Sequence, residues 1–251
     1  MSDDWDGYFT YVEDRPATML LDLGLAEEAP IPGLSVMAYI TVDFLAPDEN
    51  GFSGRGEDAR LIALEDALVS ALSHDMCLFV GRCTTGGRRE FFFYMDNAGE
   101  LERKVEAVLA RFEEYAWDMG LVEEPGWDTY LEFLYPDEQG MDAIRNSRQC
   151  RELEARGDDL ARPRSIRHRL RFGTGADRDA FIREVEREGF TAAVQGKEDG
   201  GGFALLVRRP DPPNDIDDVA WPLRELAGAH GGVYDGWDCE AVGPEQHAGK
   251  E

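Results

Sequence analysis

The chain has 251 residues, 43% of them hydrophobic and 31% charged, and its formal net charge is −26. The hydrophobic share is sufficient for packed cores, which excludes a wholly disordered protein, and the length suggests two domains. No apolar run reaches the roughly 18–20 residues of a membrane span. The acidic first ten residues carry no basic and apolar signal segment, so we expect a cytoplasmic protein.

The acidity is concentrated in the first part of the chain. Residues 1–140 contain 9 Lys and Arg against 30 Asp and Glu, a net charge of −21, and residues 141–251 contain 17 against 22, a net charge of −5. The acidic part repels nucleic-acid phosphates and favours encounter with a basic protein surface. Acidity of this kind can also serve solubility alone.

The first half opens with two predicted strands, Trp5–Tyr11 and Thr18–Leu23. The pattern then predicts strand, helix, strand, strand, helix, strand, with Gly86 and Gly87 joining the middle strands as a hairpin and Gly120 ending the second helix. These six elements are predicted at residues 35–44, 57–74, 77–84, 89–96, 99–116 and 127–135.

The second half repeats this order, after a polar segment that predicts a helical linker. Pro222 lies inside the last predicted helix, which therefore either starts after Asp215 or is kinked. The six elements are predicted at residues 165–172, 177–189, 190–194, 202–209, 215–229 and 231–242.

Two successive β-α-β-β-α-β patterns predict an α+β fold of two ferredoxin-like domains with antiparallel sheets, the first with extra N-terminal strands. The predicted organisation is an acidic α+β domain at 1–140, a helical linker at 141–163, a ferredoxin-like domain at 164–243 and a flexible tail at 244–251.

A strip of five arginines occupies residues 162–172 of this acidic chain. Within it Arg167, Arg169 and Arg171 alternate with apolar residues, which predicts that they line the open face of a sheet. We favour their neutralisation by Asp235, Asp238 and Glu240 of the last strand, or by the acidic first domain. A protein partner and nucleic acid are the alternatives, but the adjoining strand lacks the aromatic side chains on which RNA bases stack, so we expect no direct nucleic-acid binding.

The sequence offers little that points to catalysis. Phosphate loops, nucleophile elbows and zinc-ligand spacings are missing, and the four cysteines are interpreted as reduced packing residues. Three pairs of acids, Glu65 with Asp66, Asp217 with Asp218 and Asp235 with Asp238, are expected by chance in a chain with 52 carboxylates. His168 is interpreted as a hydrogen-bonded core residue. We therefore expect no catalytic residue, no metal and no cofactor.

The motif "GGVYDGWD" has two interpretations. Gly236 inside a predicted strand marks a bulge or a close backbone approach, with Trp237 capping the edge. Alternatively, Tyr234, Asp235, Gly236, Trp237 and Asp238 form an aromatic and acidic contact surface.

These residues carry a resemblance to the RraB family of bacterial inhibitors of ribonuclease E. The second half resembles that family in "SIRHRLRF", "REGFTAAV" and "GGVYDGWD". The first half is similar to an uncharacterised bacterial domain family often found ahead of RraB-like domains, in "WDGYFTYVEDRPATMLLDL", "ALEDAL", "FVGRCTTGGRREFFFYM" and "WDTYLEFLYP". The resemblance implies a ferredoxin-like second half, a regulatory, non-enzymatic role and, as partner, the scaffold region of ribonuclease E.

The resulting hypothesis is a protein that acts by binding and modulates an RNA-processing enzyme. Its acidic first domain attracts a basic segment of the partner, and the open sheet face of the second domain adds contacts. The predicted contact residues are Arg167, Arg169, Arg171, Tyr234, Asp235, Gly236, Trp237 and Asp238. Two alternatives stay open: a small hydrolase or transferase with a carboxylate site between the domains, and an immunity-type inhibitor of another basic nuclease.

Overall fold

The computed structural model describes residues 4–54, 56–74, 76–197 and 202–243. The chain divides into two compact units, 1–141 and 142–251. Both are mixed α+β units built on antiparallel sheets, as predicted. The predicted tail at 244–251 lies outside the described residues.

The first unit contains, in its described residues, a six-stranded sheet and two α-helices. The elements are β1 (Trp5–Val12), β2 (Arg15–Asp22), β3 (Val36–Asp43), α1 (Asp58–Leu72), β4 (Cys77–Thr85), β5 (Arg88–Met95), α2 (Leu101–Leu109) and β6 (Trp117–Glu123). The strand order is β1-β2-β4-β5-β3-β6, and α1 and α2 cover one face of the sheet around Phe91, Phe93 and Ile40.

Two tight hairpins organise this sheet. Gly86 and Gly87 join β4 to β5 with φ values of 58° and 85°, the left-handed conformation that a type I′ turn requires and that glycine adopts without steric penalty. Glu13 and Asp14 join β1 to β2 with φ values of 49° and 62°. The predicted glycine hairpin is confirmed.

The prediction of the last strand of this unit was wrong. Residues 127–135 are not a strand: Thr129–Leu134 form a π-helical segment, and the last strand is β6, which contains Gly120 in its middle. The aromatic content of the segment suggested a strand. Its buried residues, Trp127, Tyr130 and Leu134, instead follow helical spacing.

The second unit begins inside α3 (Glu138–Ala155). Its further elements are β7 (Arg164–Phe172), α4 (Gly175–Val185), β8 (Thr191–Lys197), β9 (Phe203–Asp211), α5 (Ile216–Ala229) and β10 (Gly232–Asp238). The four strands form one sheet with the order β10-β7-β9-β8. The helices α4 and α5 supply Phe181 and Leu223 to a core that also contains Leu170 of β7.

The structure defines two helices of this region that the sequence left open. The segment predicted as a linker is helical as far as Ala155, and its Leu153 lies with Leu160 in the second core. Helix α5 starts at Ile216 and runs through Pro222, after a short 3₁₀ turn at Pro213–Asp215. Among the residues that the structure describes, no helix combines the length and apolar character of a membrane span.

Candidate functional site: the open face of the second sheet

Strand β7 separates its side chains between two faces of the second sheet. Ile166, His168 and Leu170 are fully buried on the face that the helices cover. Arg167, Arg169 and Arg171 alternate with them and point to the opposite, open face, where their side chains are 47–54% exposed. A strand places successive side chains on opposite faces, and the alternating burial along β7 confirms the prediction.

The arginines of this row are paired with carboxylates of β10. Arg167 donates to Asp238 through Nε at 2.6 Å, and Arg169 donates to the second oxygen of the same carboxylate. Arg171 binds Asp235 through two parallel hydrogen bonds of 2.5 and 2.7 Å. Two of the three acids predicted as cross-strand partners are therefore in place, and Glu240 lies beyond the end of β10.

A β-bulge in β10 brings both acids to the open face. Tyr234 lies opposite Leu170 and Gly236 opposite Arg169, so that Asp235 is an extra residue in the strand. In a regular strand, residues three apart point to opposite faces. The extra residue restores the alignment, so that Tyr234 and Trp237 share the covered face while Asp235 and Asp238 share the open one.

The placement of Tyr234 and Trp237 on the open face was therefore wrong. Trp237 is 2% exposed and Tyr234 5%, and both belong to the core of the second unit. The indole Nε1–H of Trp237 donates to Oδ1 of Asn146 on α3 at 2.8 Å. The motif is thus a bulge in an edge strand, which carries two rings inward and two carboxylates outward.

His168 is a buried histidine with a buried partner. Its Nδ1 lies 2.9 Å from the Tyr234 hydroxyl oxygen, and its Nε2 has no hydrogen-bond partner in the described part of the chain. Burial lowers the pKa of His168 from 6.5 to about 4, and the charge of Arg209 acts in the same direction. Burial likewise raises the pKa of the Tyr234 hydroxyl. Both groups are neutral near pH 7, as a structural pair requires.

A polar network that the sequence did not predict joins α3 to the rest of this unit. Arg224 of α5 donates two hydrogen bonds to the buried carboxylate of Asp142, one of them 3.0 Å long. Asn146 donates to Asp217 at 2.6 Å, and Gln149 donates to the backbone oxygen of Trp237 at 3.0 Å. The sequence feature that could have predicted this network is the spacing of residues 142, 146 and 149, which places them on one face of a helix.

One acid of each carboxylate pair considered for catalysis is held by a structural partner. Glu65 accepts a hydrogen bond from Arg82, and Asp217 accepts one from Asn146. Asp235 and Asp238 hold the arginine row. Within the described ranges, no group of three or more His, Cys, Asp or Glu side chains is arranged to hold a metal ion.

The rest of the open face comes from β8, β9 and the start of β10. Arg208 is exposed opposite Arg167, Leu206 is half-buried opposite Arg169, and Val233 is 53% exposed opposite Arg171. The described side chains at the strand positions of this face include four arginines and two aspartates, a net positive charge. No aromatic side chain is exposed on it within the described residues.

A pocket of about 380 Å³ opens between α3 and β10 beside this face. The guanidinium groups of Arg145 and Arg169 and the amide of Gln149 line it, and Trp237 and Tyr234 form apolar parts of its wall. The carboxylates of Asp142 and Asp235 also line it, and the donors are paired within the fold, because Arg145 donates to Asp142, Arg169 to Asp238 and Gln149 to the backbone oxygen of Trp237.

Comparisons with known proteins agree with this two-part organisation. Residues 3–135, more than half of the chain, match the family model described as "Family of unknown function (DUF695)". The chain belongs to the DUF695 family. In this DUF695 chain, residues 143–239 match a second model, "Regulator of ribonuclease activity B" (RraB), which confirms the predicted order of the two domains. We call the two units the DUF695 unit and the RraB unit; the second match begins inside α3 and associates the chain with regulators of ribonuclease activity.

Other comparisons add little to this result. A solved structure described as "Crystal Structure of an Unknown Protein from Galdieria sulphuraria" is 10% identical and covers 83% of this DUF695 chain and 98% of its own, with a TM-score of 0.22. A likeness at that TM-score supports no conclusion about fold or function. Among the curated proteins, none matches the chain.

The bulge in β10 depends on Gly236, whose φ is +112°. Gly236→Ala is expected to lower the free energy of unfolding by about 1–2 kcal/mol, because a side chain at positive φ is strained even though an added Cβ would meet no atom within 4 Å. Urea denaturation measures the loss. Gly173→Ala is the matched control, since that glycine has open space and no positive φ. Equal losses in the two variants would contradict the role of the bulge.

Proposed function

We propose that this protein is a non-enzymatic regulator that binds a ribonuclease and inhibits it, with bacterial ribonuclease E as the partner in the cytoplasm. The observation that carries the proposal is the match of residues 143–239 to the RraB model. The ion-paired carboxylates and the buried, neutral His168 support a binding role, because each of these groups is engaged within the fold. We also infer that both units are ferredoxin-like. When the four strands of each β-α-β-β-α-β pattern are numbered along the chain, they lie side by side in the order 4-1-3-2 in both sheets.

The contact surface proposed for the RraB unit is the open face, with Arg167, Arg169 and Arg171 paired to Asp235 and Asp238. The three arginine side chains are about half exposed, so a partner can replace or share their hydrogen bonds. Exposed ion pairs add only about 0–1 kcal/mol to stability, and their main effect is on encounter and specificity. Gly236 contributes by holding the two acids on this face.

A protein partner is favoured over RNA at this surface. RNA binders that use an open sheet stack bases on exposed aromatic side chains, and both rings of the β10 motif point inward. The net charge of −26 opposes phosphate binding over most of the chain. The acidic DUF695 unit is proposed to attract a basic segment of the same partner, which leaves the RraB unit to contribute the specific contacts.

The test of this proposal is cleavage of a defined RNA by ribonuclease E, with and without the purified chain. Two forms of the enzyme are compared, the full-length protein and one without its scaffold region. Inhibition of the full-length enzyme alone is the expected result, because the proposed contact lies on the scaffold. Absence of inhibition and of binding at micromolar protein and low salt, where charge attraction is strongest, would remove the function.

A charge reversal on the open face is expected to separate binding from folding. Arg169→Glu should weaken inhibition of ribonuclease E by about tenfold or more, because it removes a donor and places a like charge beside Asp238. Its free energy of unfolding should change by no more than about 1 kcal/mol. The matched control is Arg187→Glu, an equal charge change at an exposed residue after α4. If both variants inhibit equally well, the open face is not the contact surface.

A further inference from the structure

Strand β6 is an edge of the six-stranded sheet, and β3 is its only neighbour among the described strands. The bonds at the two ends of this pair fix its pattern. The N–H of Asp43 donates to the oxygen of Ala116 at 3.0 Å, and the N–H of Glu124 donates to the oxygen of Ser35 at 2.7 Å. Hydrogen-bonded and non-hydrogen-bonded pairs alternate in an antiparallel ladder. The even-numbered residues of β6 therefore bond to β3.

The odd-numbered residues of β6 turn their backbone groups away from the sheet. Trp117, Met119, Leu121 and Glu123 thus offer a row of N–H and C=O groups at the edge, which is a template for an additional strand. The strand is held firmly in place. Met119 packs against the core, and the ring of Tyr39 lies so close to Gly120 that a Cβ there would be 2.4 Å from it.

Three apolar side chains are exposed on this short strand. Leu121 is 49% exposed, Val122 42% and Trp117 36%. They lie on both faces of the edge, because Leu121 and Trp117 share the face of the core while Val122 points to the other side. An added strand would therefore find apolar contacts above and below its own backbone.

The charged residues of the segment that contains β6 all have one sign. Residues 113–124 contain five carboxylates and no Lys or Arg. Glu114 is paired with Arg60, and Glu124 accepts a hydrogen bond from Thr129 at 2.9 Å. The other three acids, Glu113, Asp118 and Glu123, are exposed. A strand added here would pass along a row of negative charge.

We propose that β6 of the DUF695 unit accepts an extended, basic segment of a partner protein as a seventh strand of its sheet. Backbone groups supply the affinity, and Lys or Arg side chains of the segment pair with Asp118 on one face of the sheet or with Glu123 on the other. A second copy of this chain is the less suitable occupant, because two β6 strands would bring like charges together in a chain with a net charge of −26. The proposal does not depend on the partner being a ribonuclease.

The test uses a labelled peptide of about ten residues in which Lys alternates with Val, a length at the upper end of the usual range for strands. Its binding to the full chain is followed by fluorescence anisotropy at low salt. Binding is expected for this peptide and not for one with Glu in place of Lys. A Lys-Val peptide with an N-methyl group on every residue should also fail, since neither of its edges can complete the ladder. Equal binding of all three peptides would overturn the proposal.

Variants of Leu121 locate the site. Leu121→Ala keeps the outward N–H and should raise the Kd about threefold, whereas Leu121→Pro removes that N–H and should raise it about tenfold or more. Proline is tolerated where the N–H of an edge strand faces solvent, and circular dichroism checks the fold of the variant. Equal peptide binding by the two variants would mean that β6 is not the site. The same would follow if both Leu121 variants bound the Lys-Val peptide as the wild type does, even where the N-methyl peptide fails to bind.

The opposite edge of the same sheet provides the matched control. Tyr11 of β1 is 65% exposed on that edge, and Tyr11→Ala should leave peptide binding unchanged. Loss of binding in Tyr11→Ala but not in the Leu121 variants would place the site on β1 and overturn the proposal. Sedimentation of the chain without peptide covers the remaining case. A dimer that Leu121→Pro dissociates would assign β6 to a second copy instead.

Discussion

Replacing Trp237 with alanine is expected to destabilise the RraB unit by about 3–5 kcal/mol, the usual effect of deleting a large buried side chain. The indole is 2% exposed, packs in the core of this unit and donates to Asn146. A loss of this size approaches the whole stability of a typical domain. Hydrogen exchange, followed by mass spectrometry on peptides from β7, β9 and β10, measures the loss within this unit.

Two further variants separate packing from hydrogen bonding and from surface chemistry. Trp237→Phe keeps an aromatic ring but leaves Oδ1 of Asn146 without its donor, so an intermediate loss of about 1–3 kcal/mol is expected. Asp235→Asn changes an exposed charge on the same strand and should stay within about 1 kcal/mol of the wild type. If Trp237→Ala exchanges like the wild type, the indole is not part of the core. If Trp237→Ala does exchange faster, any loss of partner binding in this variant is explained by the unfolding of the RraB unit.

Acid is expected to destabilise the RraB unit through His168. Burial lowers the pKa of this side chain to about 4 in the folded state, against 6.5 in the unfolded chain. The unfolded state therefore binds the proton first as the pH falls. The contribution to stability is complete above pH 6.5 and is lost as the pH falls through 4, and the shift corresponds to about 3 kcal/mol. Protonation would also place a charged N–H without an acceptor next to Phe190 in the core.

The measurement compares the free energy of unfolding at pH 7 and pH 4.5 for the wild type and for His168→Gln. Glutamine can still bond to the Tyr234 hydroxyl but does not titrate in this window. Carboxylates elsewhere in the chain affect both proteins alike, so the difference between the two pH dependences isolates His168. The wild type should lose about 2–3 kcal/mol more than the variant between these two pH values. Parallel pH dependences would mean that His168 is accessible to protons in the folded state.

The spacing of apolar residues predicted most of the fold, because most segments of the chain follow either the period of a strand or that of a helix. The alternation in β7 determined which side chains are buried and which form the arginine row, and the two glycines after β4 marked a hairpin. The segment 127–135 failed because aromatic residues are common in strands while their spacing here is helical. Composition outweighed period in that interpretation.

The candidate site could be predicted only in part. The pairing of the arginines with Asp235 and Asp238 follows from the neighbourhood of the first and last strands, which the element order already implied. The inward direction of Tyr234 and Trp237 does not, because an extra residue in the strand shifts every following side chain to the other face. The contacts of Asp142 and Asn146 with α5 depend on where α3 packs, which local sequence does not encode.

The bulge has a consequence for how β10 can vary. Its five residues from Tyr234 to Asp238 read as two ring–acid couples separated by one glycine, so that each couple supplies one anchor to the interior and one charge to the surface. Removing Gly236 would turn Trp237 to solvent and carry Asp238 into the apolar interior. Single substitutions of the acids therefore change the charge of the outer surface without moving the rings. A change in strand length instead exchanges the buried and the exposed side chains. Variation on this surface is tolerated by replacement and forbidden by insertion or deletion.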